Sequence, residues 1–321
     1  MAAYTKIQAS ILDNFWQDYK LGEILEYTEI INGISNSNYL IHSSEGEYVL
    51  TLYEDSNSKN APHLANLIDH LSNQYPLSPT LQKDTHNRKL RSLENKPAIV
   101  CTKLAGHSVD IANSEQCLQL GNHLAQIHLL LKNYQLPIDR NNDLPTVKHN
   151  YIQIRSQLKT EDRIIIEDEL NFQQSLNYQQ LPTGLTHGDL FRDNVLFSNQ
   201  DLSGIIDFHS ASNDYLIRDL AIAINDWCQI ANNLSQQHLS SLLNGYNQIR
   251  PLTQLEKAYL PHMLRHCALR FWLSRLKHNI NNQSHTIANP TNPDFFKKML
   301  IQYRNGNQRQ LCELINESFP A

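Results

Sequence analysis

Three side chains that carry oxygen ligands follow one another in the stretch LTHGDLFRDNVLFSNQDLSGIIDF (185–208). Asn194 opens one short apolar run, and Asp207 ends a second one. The polar residues between the runs predict a turn, so the runs predict an antiparallel hairpin that brings Asn194 beside Asp207. Asp189, at the head of the preceding loop, would reach toward the same point. A carboxamide and a carboxylate oxygen are hard ligands that suit Mg²⁺, which takes its remaining ligands from water and phosphate.

The order Asp-x4-Asn followed by a strand-final Asp resembles the catalytic and metal-binding loops of protein kinases. This resemblance implies that Asp189 accepts the proton of an attacking hydroxyl, while Asn194 and Asp207 hold the metal. We call residues 187–193 the catalytic loop. Asp and Asn are also common in ordinary turns, but here all three lie at predicted strand ends, which favours the chemical interpretation. Phosphoryl transfer depends mainly on positioning and charge neutralisation.

The strings around these residues narrow the resemblance. His-Gly-Asp replaces the His-Arg-Asp of protein kinases, which is typical of the aminoglycoside phosphotransferase and choline kinase superfamily of small-molecule kinases. Four strings look like the homoserine kinases built on that fold: HGDLFRDNVLF (187–197), GIIDF (204–208), DLAIAINDWC (219–228) and ALRFWLSRL (268–276). The likeness runs from about Tyr27 to about Leu276. It implies a two-lobed, protein-kinase-like α+β fold that uses ATP and Mg²⁺ to phosphorylate the hydroxyl of homoserine, on the route to threonine.

The resemblance divides the chain near Leu104-Ala105-Gly106, into a nucleotide-binding lobe (1–105) and a catalytic and substrate-binding lobe (106–321). For the first lobe, the pattern of apolar residues predicts helices over 7–20 and 61–74 and strands over 27–32, 38–43, 47–53, 85–92 and 97–103. For the second lobe it predicts helices over 114–131, 148–160, 162–178, 214–231, 235–248, 253–279 and, with a break, 291–317.

The nucleotide-binding residues follow from the first lobe. Small polar residues connect the first two strands and predict a loop over the phosphates, although a plain hairpin turn is the alternative. Its candidate donors are Ser35, Asn36, Ser37 and Asn38. The resemblance places the adenine edge against backbone groups near Cys101–Lys103. The third strand departs from the kinase pattern, because Thr51 lies at or near the place of the lysine that pairs with ATP phosphates. That charge must come from elsewhere.

Homoserine carries an ammonium and a carboxylate besides its hydroxyl, so its pocket needs charges of both signs. Arg192 in the catalytic loop and Arg270 on an otherwise apolar helix, which also carries Arg275, are candidates for the carboxylate. An arginine fork matches a carboxylate with two hydrogen bonds. Asp214 and Asp226 are candidates for the ammonium. For each of these residues an ordinary ion pair within the protein is the alternative.

Other polar residues are predicted to support the catalytic loop. The resemblance implies that Asp219 anchors the loop through backbone N–H groups, and a first-turn carboxylate favoured by the helix dipole is the alternative. His187 is predicted to brace the loop and not to act as the base. His123 and His128 lie on a helical face and are interpreted as packed core residues.

Composition excludes several classes of protein. The chain has 27 basic and 32 acidic residues and no basic stripe, which argues against a nucleic-acid partner. Its five cysteines are scattered without a CxxC pair, which indicates reduced thiols and neither a disulfide framework nor a zinc site. The N-terminus lacks a signal-peptide pattern, and no stretch approaches the ~18 apolar residues of a membrane span. We expect a cytoplasmic protein without a membrane partner.

Two alternatives to a homoserine kinase stay open. The substrate could be another small alcohol, such as choline, ethanolamine or an aminoglycoside. The chain could also be a nucleotide-binding pseudokinase that regulates another protein. Thr51 is the feature that supports the pseudokinase, and the intact set of Asp189, Asn194 and Asp207 argues against it.

Overall fold

The computed structural model describes residues 5–30, 36–54, 59–138, 143–281, 292–305 and 308–318. The chain divides into two compact units. The N-terminal unit contains Met1–Ser108, Leu136–Ile138 and Asn194–Ala211, and the C-terminal unit contains Val109–Gln135, Asp139–Asp193 and Ser212–Ala321. The segment that follows the catalytic loop therefore belongs to the N-terminal unit.

Strands dominate the N-terminal unit, and helices dominate the C-terminal unit. The described helices are α1 (Ala9–Trp16), α2 (Ala61–Ser72), α3 (Ser114–Leu130), α4 (Leu144–Ile154), α5 (Thr160–Gln174), α6 (Leu216–Trp227), α7 (Gln236–Ile249), α8 (Gln254–Asn281), α9 (Asp294–Asn305) and α10 (Gln308–Glu317). The described strands are β1 (Ile24–Ile30), β2 (Asn36–Ser43), β3 (Gly46–Tyr53), β4 (Leu81–Gln82), β5 (Arg91–Leu93), β6 (Lys96–Thr102), β7 (Thr183–Thr186), β8 (Val195–Ser198), β9 (Asp201–Ile205), β10 (Ser212–Tyr215), β11 (Gln229–Ile230) and β12 (Asn233–Leu234).

An antiparallel sheet is the framework of the N-terminal unit. Its strands follow the order β1-β2-β3-β6-β4, and β5 pairs with β6. Side chains alternate between the two faces of β3. Leu50 and Leu52 are fully buried in the core cluster that includes α1. Thr51 and Tyr53 lie on the other face, where the Tyr53 ring meets the His209 ring edge-on at 5.1 Å. This second face carries the polar residues that concern function.

The strand predicted over 85–92 is wrong. The residues before β5 form a turn in which Asp84 Oδ1 accepts hydrogen bonds from the N–H groups of His86 (2.9 Å) and Arg88 (2.8 Å). Asn87 adopts a left-handed conformation, with φ 63°. A carboxylate that binds two nearby backbone N–H groups competes with strand pairing, so only Arg91–Leu93 joins the sheet. The helix predicted over 7–20 ends early, at Trp16.

Close helix packing defines the C-terminal unit. α3 crosses α7 at Gly121 and Gly245, where an added Cβ would lie 2.1 Å from Leu242 O and 2.0 Å from Leu118 O, respectively. Glycine lets the two backbones approach this closely. α6 is buried along its whole length, polar residues included. The helix predicted from 214 begins at Leu216, because Ser212–Tyr215 pairs with β7 as β10. Within the described part of the chain, no helix is long and apolar enough to cross a membrane.

Candidate active site

The predicted hairpin after the catalytic loop is confirmed. β8 and β9 pair antiparallel, with Val195 opposite Ile205. The N–H of Ile206 donates to Asn194 O at 3.0 Å, which extends the ladder by one residue. Asn199 and Gln200 form the turn with φ 50° and 74°, the left-handed values that suit a two-residue hairpin loop. Asn194 is therefore held at the open end of the hairpin, across from the residue that precedes Asp207.

Asp207 ends β9 in a left-handed conformation, with φ 64° and ψ 60°. Its side chain is 45% exposed. Within the described residues its contacts are long ones to His209, at 3.4 Å from the backbone N–H and 3.6 Å from Nε2. The carboxylate and the buried Asn194 carboxamide occupy one end of one hairpin. Their chemistry fits a Mg²⁺ ion, which binds through one or two protein oxygens and keeps several waters.

The described residues form no larger metal cluster. Among the residues that the structure describes, no group of three or more His, Cys, Asp or Glu side chains could hold a metal ion. A structural zinc site needs about four such ligands. Magnesium in a phosphoryl-transfer site does not, because substrate phosphates complete its shell. The donor set of the hairpin is thus of the kind that Mg²⁺ uses.

A neutral pair occupies the position of the missing lysine on β3. Thr51 lies opposite Asn38 in the β2–β3 ladder, and Thr51 Oγ1 donates to Asn38 Oδ1 at 2.7 Å. Thr51 is nearly buried, at 7% exposure. No acidic residue lies in the first turn of α2, so no carboxylate of that turn requires a lysine here. Both Thr51 and Asn38 face the side of the sheet that carries Tyr53.

Lys96, the first residue of β6, lies on the α1 side of the sheet, opposite to the face that carries Thr51 and Asn38. Lys96 Nζ donates to the buried carboxylate of Glu54, which also accepts hydrogen bonds from Ser37 Oγ (2.6 Å) and Thr5 Oγ1 (3.0 Å). Burial acts to raise the pKa of Glu54, but these donors lower it overall. Alternation along β2 places Ser37 on the α1 side, together with Tyr39. Lys96 therefore does not replace the β3 lysine.

The other predicted nucleotide-binding residues are placed as follows. Asn36 is buried at the start of β2, and Ser35 lies outside the described residues. Cys101 lies in β6 between β3 and β4, and burial raises the pKa of its thiol to about 12. The N–H of Lys103 donates to Glu47 O at 3.0 Å, and its exposed Nζ pairs with Glu47 Oε2 at 2.7 Å. The adenine contact near Cys101–Lys103 stays a prediction.

Asp219 holds the backbone of the catalytic loop within the C-terminal unit. Its carboxylate, fully buried at the start of α6, accepts hydrogen bonds from the N–H groups of His187 (2.5 Å) and Gly188 (2.7 Å). Burial alone would raise the pKa of Asp219, but the hydrogen bond and charge of His128 and the loop donors lower it. Gly188 adopts φ 80°, which a glycine reaches without strain. The loop is thus fixed by an ionised carboxylate.

A chain of buried polar contacts supports Asp219. His128 Nε2 lies 3.2 Å from Asp219 Oδ2, and His128 Nδ1 lies 2.8 Å from the hydroxyl of Tyr246. Arg250 donates to that hydroxyl at 3.1 Å and pairs with Glu256 at 2.9 Å. We call these five residues the anchor network. His128 is a core residue, as interpreted from sequence, but its hydrogen bond to Asp219 could not be read from helical spacing.

Asp189 lies half-buried in the loop that this network fixes. Its N–H lies 3.3 Å from His187 Nδ1, and its carbonyl accepts from the N–H of Phe191 at 2.9 Å. Trp227 Nε1 donates to Leu190 O at 3.2 Å. The backbone on both sides of Asp189 is therefore tied to the protein core, which is the preorganisation that a general base needs.

Three of the four predicted substrate-binding residues form internal ion pairs. The Arg192 guanidinium binds Asp226 with two hydrogen bonds, from Nε (3.0 Å) and Nη2 (3.2 Å), and also donates to Asp110 O. The fully buried Asp214 pairs with Arg218 at 3.1 Å. These contacts correspond to the alternative that the sequence left open for each of them.

Arg270 differs from these residues. It is half-buried on α8, and Nη1 donates to Gly188 O in the catalytic loop at 3.3 Å. No carboxylate lies within ion-pair distance of it in the described ranges. Burial lowers the pKa of Arg270, and the negative charge of Asp189 opposes this shift. A guanidinium without a carboxylate partner therefore lies near the predicted base.

Comparisons with known proteins agree with this geometry. Residues 26–252 match the phosphotransferase enzyme family. A homoserine kinase of Methylobacillus flagellatus is 33% identical over 98% of this chain and 99% of its own length. In structure, the chain is similar to a microcompartment-associated aminopropanol kinase (TM-score 0.74, 14% identity, 96% of this chain and 100% of that one). It is also similar to an amicoumacin kinase in complex with AMP-PNP, Ca²⁺ and Ami (TM-score 0.69, 15% identity, 97% and 94%).

Proposed function

The chain belongs to the phosphotransferase enzyme family, and from this premise we propose that it phosphorylates the hydroxyl of L-homoserine with ATP and Mg²⁺. That it is a small-molecule kinase follows from the family and from homoserine kinase relatives that match almost the whole chain. The choice of homoserine is supported most by Arg270, a guanidinium without a carboxylate partner next to the catalytic loop.

The proposed roles follow the chemistry of each side chain. Asp189 accepts the proton of the substrate hydroxyl as the hydroxyl oxygen bonds to the γ-phosphorus of ATP. The bond between that phosphorus and the β–γ bridging oxygen breaks, and ADP leaves. Asp219 keeps the loop backbone in place through its two hydrogen bonds, so Asp189 loses little freedom when substrate binds. Asn194 and Asp207 hold Mg²⁺, which would neutralise the charge of the transferred phosphoryl group.

Charge selects the substrate in this proposal. A half-buried guanidinium loses solvation, and a substrate carboxylate offsets that loss with charge-assisted hydrogen bonds. Choline, ethanolamine and aminoglycosides have no carboxylate. With such an alcohol Arg270 stays unpaired, and sites that leave a polar group unpaired discriminate by roughly 10⁴–10⁵-fold. Asp189 and Asp193 lie on the same unit and would supply the negative potential that an ammonium group requires.

A pseudokinase fits the residues less well. The neutral Thr51–Asn38 pair is the feature that favours it. A protein that binds nucleotide without turnover has no need of a base in a braced loop or of two metal ligands at one hairpin end. We therefore propose that the chain is an active kinase. The positive charge that neutralises the ATP phosphates would come from Mg²⁺ and from groups outside β3, and not from Thr51 or Asn38.

A substrate panel tests the proposal. Purified protein is incubated with ATP, Mg²⁺ and, separately, homoserine, choline, ethanolamine and an aminoglycoside, and phosphomonoesters are measured by ³¹P NMR. We expect a product with homoserine alone. Equal turnover of choline or ethanolamine would contradict selection by a carboxylate, whereas ATP binding without any product would support the pseudokinase.

A further inference from the structure

Three phenylalanine rings from three segments of the C-terminal unit form one cluster next to the catalytic loop. Phe191 lies in the loop, Phe271 on α8 and Phe296 on α9. The Phe191 centroid is 4.8 Å from that of Phe271 and 6.3 Å from that of Phe296, and Phe271 stacks on Phe296 at 5.3 Å. We call these rings the aromatic cluster. They join the segment that carries Asp189 to two helices of the same unit.

Two arginines of α8 rest on this cluster. The guanidinium carbon of Arg270 is 4.3 Å from the Phe271 centroid, and that of Arg275 is 4.6 Å from the Phe296 centroid. Both distances are within the range of a cation–π contact. Such contacts fix the plane of a guanidinium and leave its N–H groups available to a ligand. The cluster therefore presents two oriented cations.

Arg275 has no anionic partner of its own in the described residues. The structure gives it neither a hydrogen bond nor a carboxylate within 4 Å there. Arg265, five residues earlier than Arg270, shows the usual arrangement. It also lies over a ring, 3.8 Å from the Phe172 centroid, but its Nη2 binds Glu169 at 2.5 Å. The aromatic support is shared by both arginines, and the missing carboxylate distinguishes Arg275.

The charges around Arg275 come from the catalytic loop and from Asp226 of α6. Burial lowers the pKa of Arg275, and the carboxylates of Asp226, Asp189 and Asp193 oppose the shift. Asp189 acts in the same way on Arg270. Asp226 is already neutralised by Arg192. Arg275 is connected to the catalytic loop through Phe296 and Phe191, and it forms no ion pair with the described residues.

We propose that Arg270 and Arg275 form one carboxylate-binding subsite, in which Arg275 is the specificity-determining residue that the sequence alone did not indicate. This inference rests on the proposed function and deepens it. The ligand class is an α-amino acid with a hydroxyl at the far end of its side chain. The substrate carboxylate binds the two guanidinium groups, and the aromatic cluster keeps those groups at a fixed position relative to the loop that holds Asp189.

A packing role for Arg275 is the competing explanation. The side chain covers Phe296, so its removal could loosen α9 without affecting any ligand contact. Loss of packing harms the enzyme with every substrate. Loss of a carboxylate contact slows the reaction only with substrates that have a carboxylate. The two explanations therefore predict different ratios of the rate with homoserine to the rate with an alcohol that has no carboxylate.

The experiment compares homoserine with 3-amino-1-propanol, which is homoserine without its carboxylate. We measure kcat and KM for both alcohols, and KM for ATP, in the wild type, Arg275→Met and Arg275→Lys. For Arg275→Met we expect the homoserine KM to rise roughly 10- to 100-fold, the scale of charge-assisted hydrogen bonds. The KM for ATP and the kcat/KM for 3-amino-1-propanol should stay within about threefold, as expected for groups that the substitution does not touch.

Arg275→Lys should give an intermediate homoserine KM, since a lysine keeps the charge and loses the fork. Arg304→Met is the matched control, because Arg304 is also half-buried but pairs with Asp168 of α5. It should leave the preference for homoserine unchanged. If Arg275→Met does not fold, as judged by circular dichroism, the test uses Arg275→Lys. The quantity compared is then its ratio of kcat/KM for homoserine to kcat/KM for 3-amino-1-propanol.

Two outcomes would overturn the subsite and leave the proposed function standing. In the first, Arg275→Met and Arg275→Lys keep the wild-type KM for homoserine. In the second, they impair homoserine and 3-amino-1-propanol by the same factor. Absence of homoserine turnover in the wild type would instead overturn the proposed function, and the subsite with it.

Discussion

Asp207 at the end of the β8–β9 hairpin and Asp219 at the start of α6 are both carboxylates with a proposed role in catalysis, but their surroundings differ. Asp219 is fully buried and accepts hydrogen bonds from two loop N–H groups and from His128. Asp207 is 45% exposed and, among the described residues, has only long contacts to His209. The first carboxylate is satisfied by the protein. The second is left with oxygens that a metal ion can bind.

This difference separates two tasks. A loop that positions a base must not move, so its backbone is tied to a buried ion whose hydrogen bonds are costly to break. A metal ligand must exchange water and phosphate oxygens during turnover, so burial and strong internal hydrogen bonds would impede it. The Asp207 carboxylate of the N-terminal unit is therefore exposed, whereas the Asp219 carboxylate of the C-terminal unit is buried and hydrogen-bonded.

The largest effect should come from the residue that the rigid region positions. Asp189→Ala should lower kcat by roughly 10²–10⁴-fold, the usual loss for a positioned general base. The affinity for ATP, measured by calorimetry, should stay near the wild-type value because the base does not hold the nucleotide. Near-normal turnover in this variant would remove Asp189 from the role of base.

A matched pair of substitutions tests the contrast itself. Asp219→Asn should lower the free energy of unfolding by about 2–3 kcal/mol, because an amide cannot accept from all the donors around it. Asp207→Asn should change that free energy by less than about 1 kcal/mol, since asparagine tolerates the left-handed conformation. Denaturant unfolding measures both values.

The same pair separates stability from activity. Asp207→Asn should fold normally and lose most of its Mg²⁺-dependent turnover, measured at saturating ATP and homoserine. If it destabilises the protein as much as Asp219→Asn, then Asp207 is a structural residue and the comparison of the two carboxylates is mistaken.

Asn194 offers a smaller test of the metal ligands. Asn194→Ala should weaken the affinity for Mg²⁺ by roughly 10-fold, a modest loss because a neutral oxygen contributes less than a carboxylate. Added Mg²⁺ should therefore restore part of the rate. The measurement is a Mg²⁺ titration of kcat/KM. A titration curve identical to that of the wild type would show that Asn194 does not bind the metal.

The smallest expected effect concerns pH and the Glu54 carboxylate on the α1 side of the sheet. Donors from Lys96, Ser37 and Thr5 outweigh burial and hold its pKa below the ordinary 4.5. A lowered pKa adds stability that is present above pH 4.5 and is lost as the pH falls through the folded pKa. Glu54→Gln should therefore flatten the pH dependence of stability below pH 4.5 and leave kcat nearly unchanged. The melting temperature of Glu54→Gln is measured at several pH values. If it falls below pH 4.5 as steeply as that of the wild type, this assignment is contradicted.

Local chemistry made the hairpin and the catalytic loop predictable from sequence. Apolar runs on either side of Asn199 and Gln200 specify the hairpin, because the strands pair with residues only a few positions away. The His-Gly-Asp string indicated the family from sequence for the same reason, because its residues are neighbours in the chain. It needs three adjacent residues with a glycine in the middle, which the sequence shows directly, and the structure gives that glycine the left-handed conformation.

Partners of buried charges were decided by the tertiary structure. Arg192 and Asp226 were both predicted to meet a substrate, but they lie 34 positions apart and burial brings them together. His128 reaches Asp219 across 91 positions and Tyr246 across 118. Arg275 shows the opposite case, because its guanidinium lies over Phe296 of α9 and, among the described residues, no carboxylate lies within ion-pair distance of it. Spacing along one helix sets the face on which a charge lies, but only the packing of distant segments sets which opposite charge can reach it.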